Sequence, residues 1–264
     1  MNKCLKALLF SALALMLSAF CGCGRSAFRA EEYVLTEPVI VSDPDKAGKK
    51  SIAIGGSVYT CTYDSSCTSG DPAMTVDFYN TSEGGRIEID PETDEVYSFA
   101  DITPFESIGS VSELTDEELI RALEERVAPI ADPERYNDHK IQRQAGNGPE
   151  NPDAVVEFHR SFYGVDSYDQ MIVRLNASGD IIRFSRMEGF PKDFDAPDIS
   201  DAERDELILG VVKEKLGIEP GEIRIISSYM TVYKGRPALI CYPMVFDKDG
   251  NAVQATISVV IYRG

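Results

Sequence analysis

The stretch that decides the fold spans residues 114–187, which read as a helix, then strands, then a tight hairpin. Residues 115–127 read TDEELIRALEERV, and residues 175–181 read LNASGDI. Thr115 is typical of a helix N-cap, and Glu118 three positions later completes a capping box. An apolar face follows at helical spacing and comprises Leu119, Ile120, Leu123, Val127 and Ile130. We therefore expect a helix that buries this face against an antiparallel sheet.

The helical pattern occurs a second time, later in the chain. Residues 116–123 read DEELIRAL and residues 204–211 read RDELILGV, so that an acid, Glu, Leu and Ile coincide. Ser200 and Glu203 form a second capping box, and Gly217 is typical of a helix C-terminus. The second apolar face comprises Leu207, Ile208, Val211, Val212 and Leu216.

Three hairpin turns also share one pattern. They read IDPETDEV at residues 89–96, LNASGDII at residues 175–182 and FDKDGNAV at residues 246–253. Each begins with a hydrophobic residue and Asp or Asn, whose side chain bonds nearby backbone amides, and each continues to a Gly or Asp that tolerates positive φ. We therefore predict that each of these segments closes a β-hairpin.

A helix followed by strands and closed by such a hairpin resembles the PepSY family, small α+β modules of extracytoplasmic bacterial proteins. Residues 90–96 are similar to that family's closing turn, although Asp94 replaces the usual Gly. The resemblance covers residues 114–187 and 200–264, with a helix-less partial copy before them. It implies a binding or peptidase-regulating role and supplies no catalytic residues.

These patterns predict an α+β fold in which antiparallel β-sheets are each covered by a helix, as tandem PepSY-like repeats. The expected divisions are a lipoprotein signal peptide and lipobox at 1–23, a tether at 24–50, a β-rich N-terminal module at 51–107, and helix-plus-sheet modules at 108–191 and 192–264. Leu119, Leu123, Leu207 and Val211 are expected to pack on Val156, Phe158, Val173, Ile225, Ile257 and Val259.

The N-terminus is typical of an export signal. Lys3 and Lys6 precede an apolar run at residues 7–20, which is shorter than the ~20 residues that span a bilayer. The run ends at a segment that resembles the lipobox of bacterial lipoproteins. Cys23 is the predicted lipid-modified residue, because the small Gly22 precedes it.

Cys21 remains an alternative lipidation site, although the bulky Phe20 precedes it. An ordinary secretory signal with incidental cysteines is a second alternative. Both versions of a lipoprotein signal predict a protein held by a lipid anchor on the extracytoplasmic face of the bacterial cell membrane, with the lipid bilayer as its first partner.

The chain is strongly acidic, with a formal net charge of −18. Removal of residues 1–22 takes away Lys3 and Lys6 but no acid, and the charge becomes −20. Such a surface repels nucleic acid and anionic lipid, and favours solubility or cationic partners. No nucleic-acid partner is therefore expected.

Cys61 and Cys67 flank the sequence TYDSS at residues 62–66, which is a predicted turn. In an exported protein, a disulfide across such a turn is reasonable and would stabilise it by roughly 2–2.5 kcal/mol. Free thiols are the alternative, and a metal site is disfavoured because no second cluster of Cys or His follows. Cys241 lies in an apolar run and is predicted to be buried.

The search for catalytic residues finds none. His139 and His159 are the only histidines, and both are interpreted as surface residues. No nucleophile-elbow, zinc-protease or phosphate-loop motif occurs. Asp247 and Asp249 have the spacing of a calcium loop, but Gly250 stands at position 4 instead of 6, so that a hairpin turn is predicted. No metal and no cofactor is expected.

The functional hypothesis is a non-enzymatic, lipid-anchored protein of PepSY type, which binds or regulates a protein or peptide partner. A peptidase is one candidate for this partner. The first alternative is an exported hydrolase that acts through a carboxylate pair. Its candidate acids are Asp193, Asp195, Asp198, Asp201 and Asp205, a run that most often forms a solvated face. The second alternative is a solute-binding lipoprotein, although the absence of Trp argues mildly against sugar stacking.

Overall fold

The structure is a computed structural model and describes residues 27–34, 37–69, 74–143, 153–188, 190–191, 194–253 and 257–264. The predicted signal peptide and lipobox, with Cys21 and Cys23, lie outside the described residues. So does the loop predicted at residues 145–149.

The described residues form fourteen strands and two α-helices. The strands are β1 (Phe28–Glu32), β2 (Val39–Val41), β3 (Lys49–Ile54), β4 (Ser57–Ser69), β5 (Met74–Thr81), β6 (Arg86–Ile89), β7 (Val96–Ala100), β8 (Asp138–Arg143), β9 (Ala154–Phe162), β10 (Val165–Leu175), β11 (Ile181–Met187), β12 (Glu222–Tyr233), β13 (Arg236–Phe246) and β14 (Val259–Arg263). The helices are α1 (Asp116–Val127) and α2 (Asp201–Leu216).

Both predicted helices are confirmed, together with their N-cap residues Thr115 and Ser200 and the C-cap Gly217. The amide of Glu118 donates to Thr115 Oγ1 at 3.3 Å, and the amide of Thr115 donates to Glu118 Oε2 at 2.9 Å, which completes the capping box of α1. At α2 the amide of Glu203 donates to Ser200 Oγ at 3.3 Å. Gly217 ends α2 in the left-handed conformation, at φ 65°. Local sequence therefore determines where both helices begin.

The predicted fold class is wrong, because the helices do not divide the chain into tandem helix-plus-sheet repeats. One mixed sheet dominates the structure and runs in the order β1-β14-β13-β12-β10-β11-β7-β6-β5-β4-β2. β3 also pairs with β4, and β9 pairs with both β8 and β10. The architecture is therefore sheet-dominated.

The physical reason lies at the strand edges. An open edge leaves backbone N–H and C=O groups unpaired, and a neighbouring strand satisfies them. β11 pairs antiparallel with β7, with Phe184 opposite Phe99. This pairing merges the segments predicted as separate modules, 51–107 and 108–191, into one continuous sheet. Side-chain periodicity identifies a strand but not the partner of its edge.

The C-terminal sheet consists of β12, β13, β14 and β1 and forms one end of the strand order. Its link to the other strands is a parallel pairing of β10 with β12, through Ser167 and Met230. The remaining strands, with α1, form the larger part of the sheet.

Each helix covers its own hydrophobic cluster. The first cluster includes Leu119, Leu123, Val156, Phe158 and Val173, all fully buried. The second cluster includes Val211, Ile257 and Val259, with Leu207 and Ile225 partly buried against it. The expected packing of these residues is therefore confirmed, although the modules around them are not.

The segment predicted as a tether is partly structured. β1 pairs antiparallel with β14 over five residue pairs, from Phe28 opposite Arg263 to Glu32 opposite Val259. β2, at residues 39–41, also lies in this segment and pairs antiparallel with β4. Strands β1 and β2, within the predicted tether, therefore belong to the sheet.

The turn predicted between Cys61 and Cys67 is wrong, because β4 runs through this segment as one strand. Both residues are free thiols in the structure. Six residues of extended chain separate their Cα atoms by roughly 20 Å, whereas a disulfide needs less than about 7 Å. The structure therefore lacks the expected disulfide. Cys241 is buried, as predicted.

Candidate functional site

The two histidines lie on neighbouring strands, β8 and β9, and neither is fully exposed. His159 was interpreted as a surface residue, but it is only 6% exposed, and its Nε2 atom lies 3.1 Å from Glu157 Oε2. His139 is half-buried and packs edge-on against Phe158, with ring centroids 4.9 Å apart. Among the described side chains, no Ser hydroxyl or Cys thiol bonds either ring, so that no nucleophile–histidine pair is present there.

The carboxylates proposed for a hydrolase are spread over an exposed surface. Asp195 bonds Arg263 at 2.9 Å, while Asp201 bonds Arg204 at 2.7 Å. Asp198 and Asp205 are also exposed, and Asp193 lies outside the described residues. The four described carboxylates of this run therefore lie on a solvated surface.

The hairpin at residues 247–250 is a turn, as predicted. Asp247 Oδ1 accepts hydrogen bonds from the amides of Asp249, at 2.9 Å, and Asn251, at 2.8 Å. These bonds to the carboxylate lower the pKa of Asp247. Over the described part of the chain, no group of three or more His, Cys, Asp or Glu side chains is placed to hold a metal ion.

The most distinctive surface is one face of the C-terminal sheet. Side chains alternate along its strands: Leu239, Cys241 and Ile261 point towards α2, whereas Ala238 and Ile240 point to the opposite face. That opposite face carries six half-buried tyrosines, which we name the tyrosine face. They are Tyr33, Tyr168, Tyr229, Tyr233, Tyr242 and Tyr262.

Ring contacts arrange these tyrosines in two groups. Tyr168 stacks on Tyr229 at 5.2 Å and 13°, and Tyr229 meets Tyr242 edge-on at 6.2 Å. Tyr233 contacts both Tyr33, at 6.0 Å, and Tyr262, at 5.6 Å. Offset and edge-on ring pairs of this kind stabilise an aromatic surface in a defined shape.

The floor between the two groups is apolar. Ala238, Ile240 and Val260 are fully buried there, and the partly buried hydrophobic side chains packed against them are all tyrosines. α2 lies on the other face, where its buried residues belong to a different cluster. The described helices therefore leave the tyrosine face uncovered.

Two hydroxyl groups of this face, those of Tyr168 and Tyr233, have raised pKa values. Tyr168 and Tyr242 share a hydrogen bond of 3.0 Å between their hydroxyl oxygens. Burial, together with this bond, raises the pKa of Tyr168. Burial and a hydrogen bond with Glu31 also raise the pKa of Tyr233. The face therefore offers apolar rings and neutral hydrogen-bonding groups, a combination enriched at protein interfaces.

A second concave surface lies beside α2, on the opposite side of the C-terminal sheet. This α2–β1 groove has a volume of about 620 Å³. Its floor comprises Ala30, Leu207, Gly210 and Val211, and its rim comprises Glu203, Glu206 and Glu214. An apolar floor with an acidic rim favours a ligand that is both apolar and cationic.

Sequence reasoning missed both surfaces. The alternation of Tyr229, Thr231 and Tyr233 along one strand was a detectable signal, because alternate residues share a face. The groove left no comparable signal, since Ala30 was assigned to the tether.

Comparison of the chain with protein-family models, curated proteins and solved structures finds no match. Over the residues that are described, no helix has both the length and the apolar character needed to cross a membrane.

Proposed function

We propose that this protein is a non-enzymatic, lipid-anchored protein of the extracytoplasmic face of the bacterial membrane, which binds a protein or peptide partner. The observation that carries the proposal is the tyrosine face, a partly exposed aromatic surface on an antiparallel sheet, which no described helix covers. Tyrosine supplies a large contact area at a low cost in conformational entropy, and it is enriched where proteins meet. The apolar run at 7–20 and the lipobox-like segment before Gly24 support the location.

The binding role is supported by the chemistry of the face. Its six side chains end in hydroxyl groups that donate or accept hydrogen bonds while their rings contribute apolar area. The centre at Ala238, Ile240 and Val260 is already filled, so that a partner would contact the rings themselves. This surface favours a macromolecular partner over a small solute held in a deep pocket.

Photo-crosslinking in intact cells tests the proposal. A benzoylphenylalanine at Tyr229 or Tyr242 should form an adduct with one partner, whereas the same residue at Tyr163 should not. Tyr163 is a suitable control because it is 67% exposed in a turn away from the tyrosine face. Tyr168→Ala combined with Tyr242→Ala should weaken binding of the purified partner at least tenfold. Equal adducts at all three positions, or none at Tyr229 and Tyr242, would contradict the proposal.

The lipid anchor has a separate test. Mass spectrometry of the mature N-terminus should find acyl chains on Cys23, and Cys23→Ser should release the protein from the membrane fraction. Cys21→Ser should leave it there. If only Cys21→Ser releases the protein, Cys21 is the lipid-modified residue. If neither variant releases it, lipid anchoring is refuted.

An exported hydrolase remains the second candidate, favoured by one observation. The α2–β1 groove is concave and carries the carboxylates of Glu203, Glu206 and Glu214 on its rim. Turnover of a glycoside substrate that is abolished by Glu206→Gln would establish this function in place of binding.

A further inference from the structure

The α2–β1 groove contains a helix-interior glycine that packing does not require. A Cβ atom on Gly210 would meet no other atom within 4 Å, so that no neighbour demands a glycine there. Glycine in the middle of a helix lowers helix stability relative to alanine. In the folded protein, the missing side chain of Gly210 leaves open space above the helix backbone at the centre of the groove.

The other wall of the groove is an edge strand. β1 is the first strand of the sheet and pairs with β14 on one side. The amide of Tyr33 donates to Ser258, and the amide of Gly264 donates to Ala27, so that the odd-numbered residues of β1 bond towards β14. In an antiparallel ladder these roles alternate. The amides and carbonyls of Ala30 and Glu32 therefore point away from β14, to an edge that no described strand covers and that we call the open edge.

The groove carries uncompensated negative charge. Glu206 and Glu214 are exposed on α2, and in the part of the chain that the structure describes neither forms an ion pair. They flank Gly210 along the helix, eight residues apart, which corresponds to about 12 Å. Positions i and i+4 of an extended strand, which lie on the same face, are about 13 Å apart. A strand that follows α2 can therefore place a basic side chain at each glutamate and an apolar side chain above Gly210.

We propose that the α2–β1 groove binds an extended, basic segment of a partner protein, which adds a strand to the open edge of β1. The segment has the alternating pattern basic-x-apolar-x-basic. Backbone hydrogen bonds to Ala30 and Glu32 supply affinity, while the two glutamates and the space above Gly210 select the side chains. The proposal rests on the proposed function for its class of partner. It adds a second site on the other face of the C-terminal sheet, with its mode of binding and the charge of the bound segment.

A second copy of this chain is a poorer occupant than a basic partner. β1 reads FRAEE, with two acids and one base, so that a second copy of β1 laid along the groove would bring further negative charge to Glu206 and Glu214. Like charges opposite one another destabilise a strand pair. Charge complementarity therefore favours a different, cationic chain.

The test uses full-length protein in detergent micelles and a labelled peptide of sequence TKTVTKT, with TETVTET as the matched acidic peptide. Fluorescence anisotropy should detect binding of the basic peptide only. Hydrogen exchange at the amides of Ala30 and Glu32 should slow when the peptide binds. Raising the salt concentration to about 1 M should weaken binding, because the charges lie at an exposed rim.

Two variants test the side chains. The double variant Glu206→Gln with Glu214→Gln should weaken binding of the basic peptide at least tenfold. The double variant Glu117→Gln with Glu125→Gln should change the affinity for this peptide less than twofold. The control pair is exposed on α1 at the same spacing and removes the same charge. Gly210→Leu should also weaken binding at least tenfold, and circular dichroism should show an unchanged fold because open space receives the side chain.

Three results would overturn the inference: equal binding of both peptides, equal loss in both pairs of variants, or unchanged exchange at Ala30 and Glu32. A dimer that Gly210→Leu dissociates would also overturn it, because a second copy would then occupy the edge. Each outcome is separable from the proposed function. A partner crosslinked at Tyr229 but indifferent to Glu206→Gln and Glu214→Gln would leave binding at the tyrosine face intact and refute the groove alone.

Discussion

The guanidinium group of Arg135 lies 2.7 Å from the carboxylate of Asp169, and the Asp169 side chain is completely buried. Arg160 approaches the same carboxylate oxygen at 3.2 Å. The two arginines also donate to the carbonyl oxygens of Phe190 and Pro191, at the start of the connection to α2. One buried carboxylate therefore holds two cations and, through them, the segment that links the larger part of the sheet to the C-terminal sheet.

Asp169→Asn should lower the free energy of unfolding by about 3–5 kcal/mol, because removal of one partner leaves buried charges uncompensated. Urea denaturation followed by circular dichroism measures the change. Asp195→Asn is the control, since its ion pair with Arg263 lies on the surface, and it should cost about 0–1 kcal/mol. A loss below about 1 kcal/mol for Asp169→Asn would show that the cluster contributes little.

Two hairpin glycines with similar backbone conformations should respond differently to alanine. Gly179 has φ +79° and Gly250 has φ +81°, but a Cβ on Gly179 would lie 2.0 Å from the carbonyl oxygen of Gly109, whereas one on Gly250 would meet nothing within 4 Å. Gly250→Ala should therefore lower the free energy of unfolding by only about 1–2 kcal/mol, because alanine disfavours the left-handed conformation that glycine adopts here. Gly179→Ala should cost a further ~1–3 kcal/mol, because the clash displaces the backbone around Gly109. If both variants lose the same unfolding free energy in urea denaturation, the close approach of Gly179 to Gly109 is refuted.

The thiols should differ in reactivity towards iodoacetamide. Cys61 and Cys241 are fully buried, and Cys67 is half-buried. Burial raises the pKa of the Cys241 thiol to about 12 and also raises the pKa of Cys61. Both stay protonated and shielded at pH 8, so that Cys67 should be the only one of these three thiols that is alkylated in native protein. Alkylation in urea, without a reductant, should add Cys61 and Cys241. If Cys61 and Cys67 react only after reduction, the disulfide exists and β4 is not the continuous strand described.

Stability should depend on pH through Asp166. Burial acts to raise the pKa of this carboxyl, but hydrogen bonds from Lys140 at 2.6 Å and Ser161 at 2.7 Å outweigh it, and the pKa is lowered overall. Because the folded pKa is below the unfolded value of about 3.9, this contribution is present above about pH 4 and is lost as the pH falls through the folded pKa.

Asp166→Asn should therefore lower the free energy of unfolding by roughly 1 kcal/mol at pH 7. The difference in this free energy between the variant and the parent protein should shrink below about pH 4. Urea denaturation at a series of pH values measures both quantities. Asp249→Asn, in an exposed turn, should change stability little at any pH. A difference for Asp166→Asn that stays constant from pH 7 down to pH 2 would contradict the assignment.

The sequence alone was sufficient where neighbouring residues interact. The capping residues Thr115 and Ser200 begin the two helices as predicted, because each cap bonds an amide three residues away. The hairpin turns formed for the same reason. Asp90 accepts from the amide of Glu92, and Asn176 accepts from the amide of Asp180.

Burial periodicity was also informative, since it placed Leu123 and Val211 inside and was correct for both. It failed for His159, which lies among polar neighbours on its strand face and is nevertheless buried. Alternation identifies the two faces of a strand, but other parts of the chain decide whether each face is covered.

Only the tertiary structure decided which strand edges meet. The pairings of β1 with β14 and of β7 with β11 join residues that are far apart in the chain, and no local pattern encodes them. The pairing of β7 with β11, together with the parallel pairing of β10 with β12, replaced the expected tandem modules by one large sheet. The pairing of β1 with β14 completed both candidate surfaces, because Tyr33 and Ala30 reach the C-terminal sheet only through β1. Local hydrogen bonds and side-chain periodicity are readable from sequence, whereas the pairing of open edges is settled by competition among all strands of the folded chain.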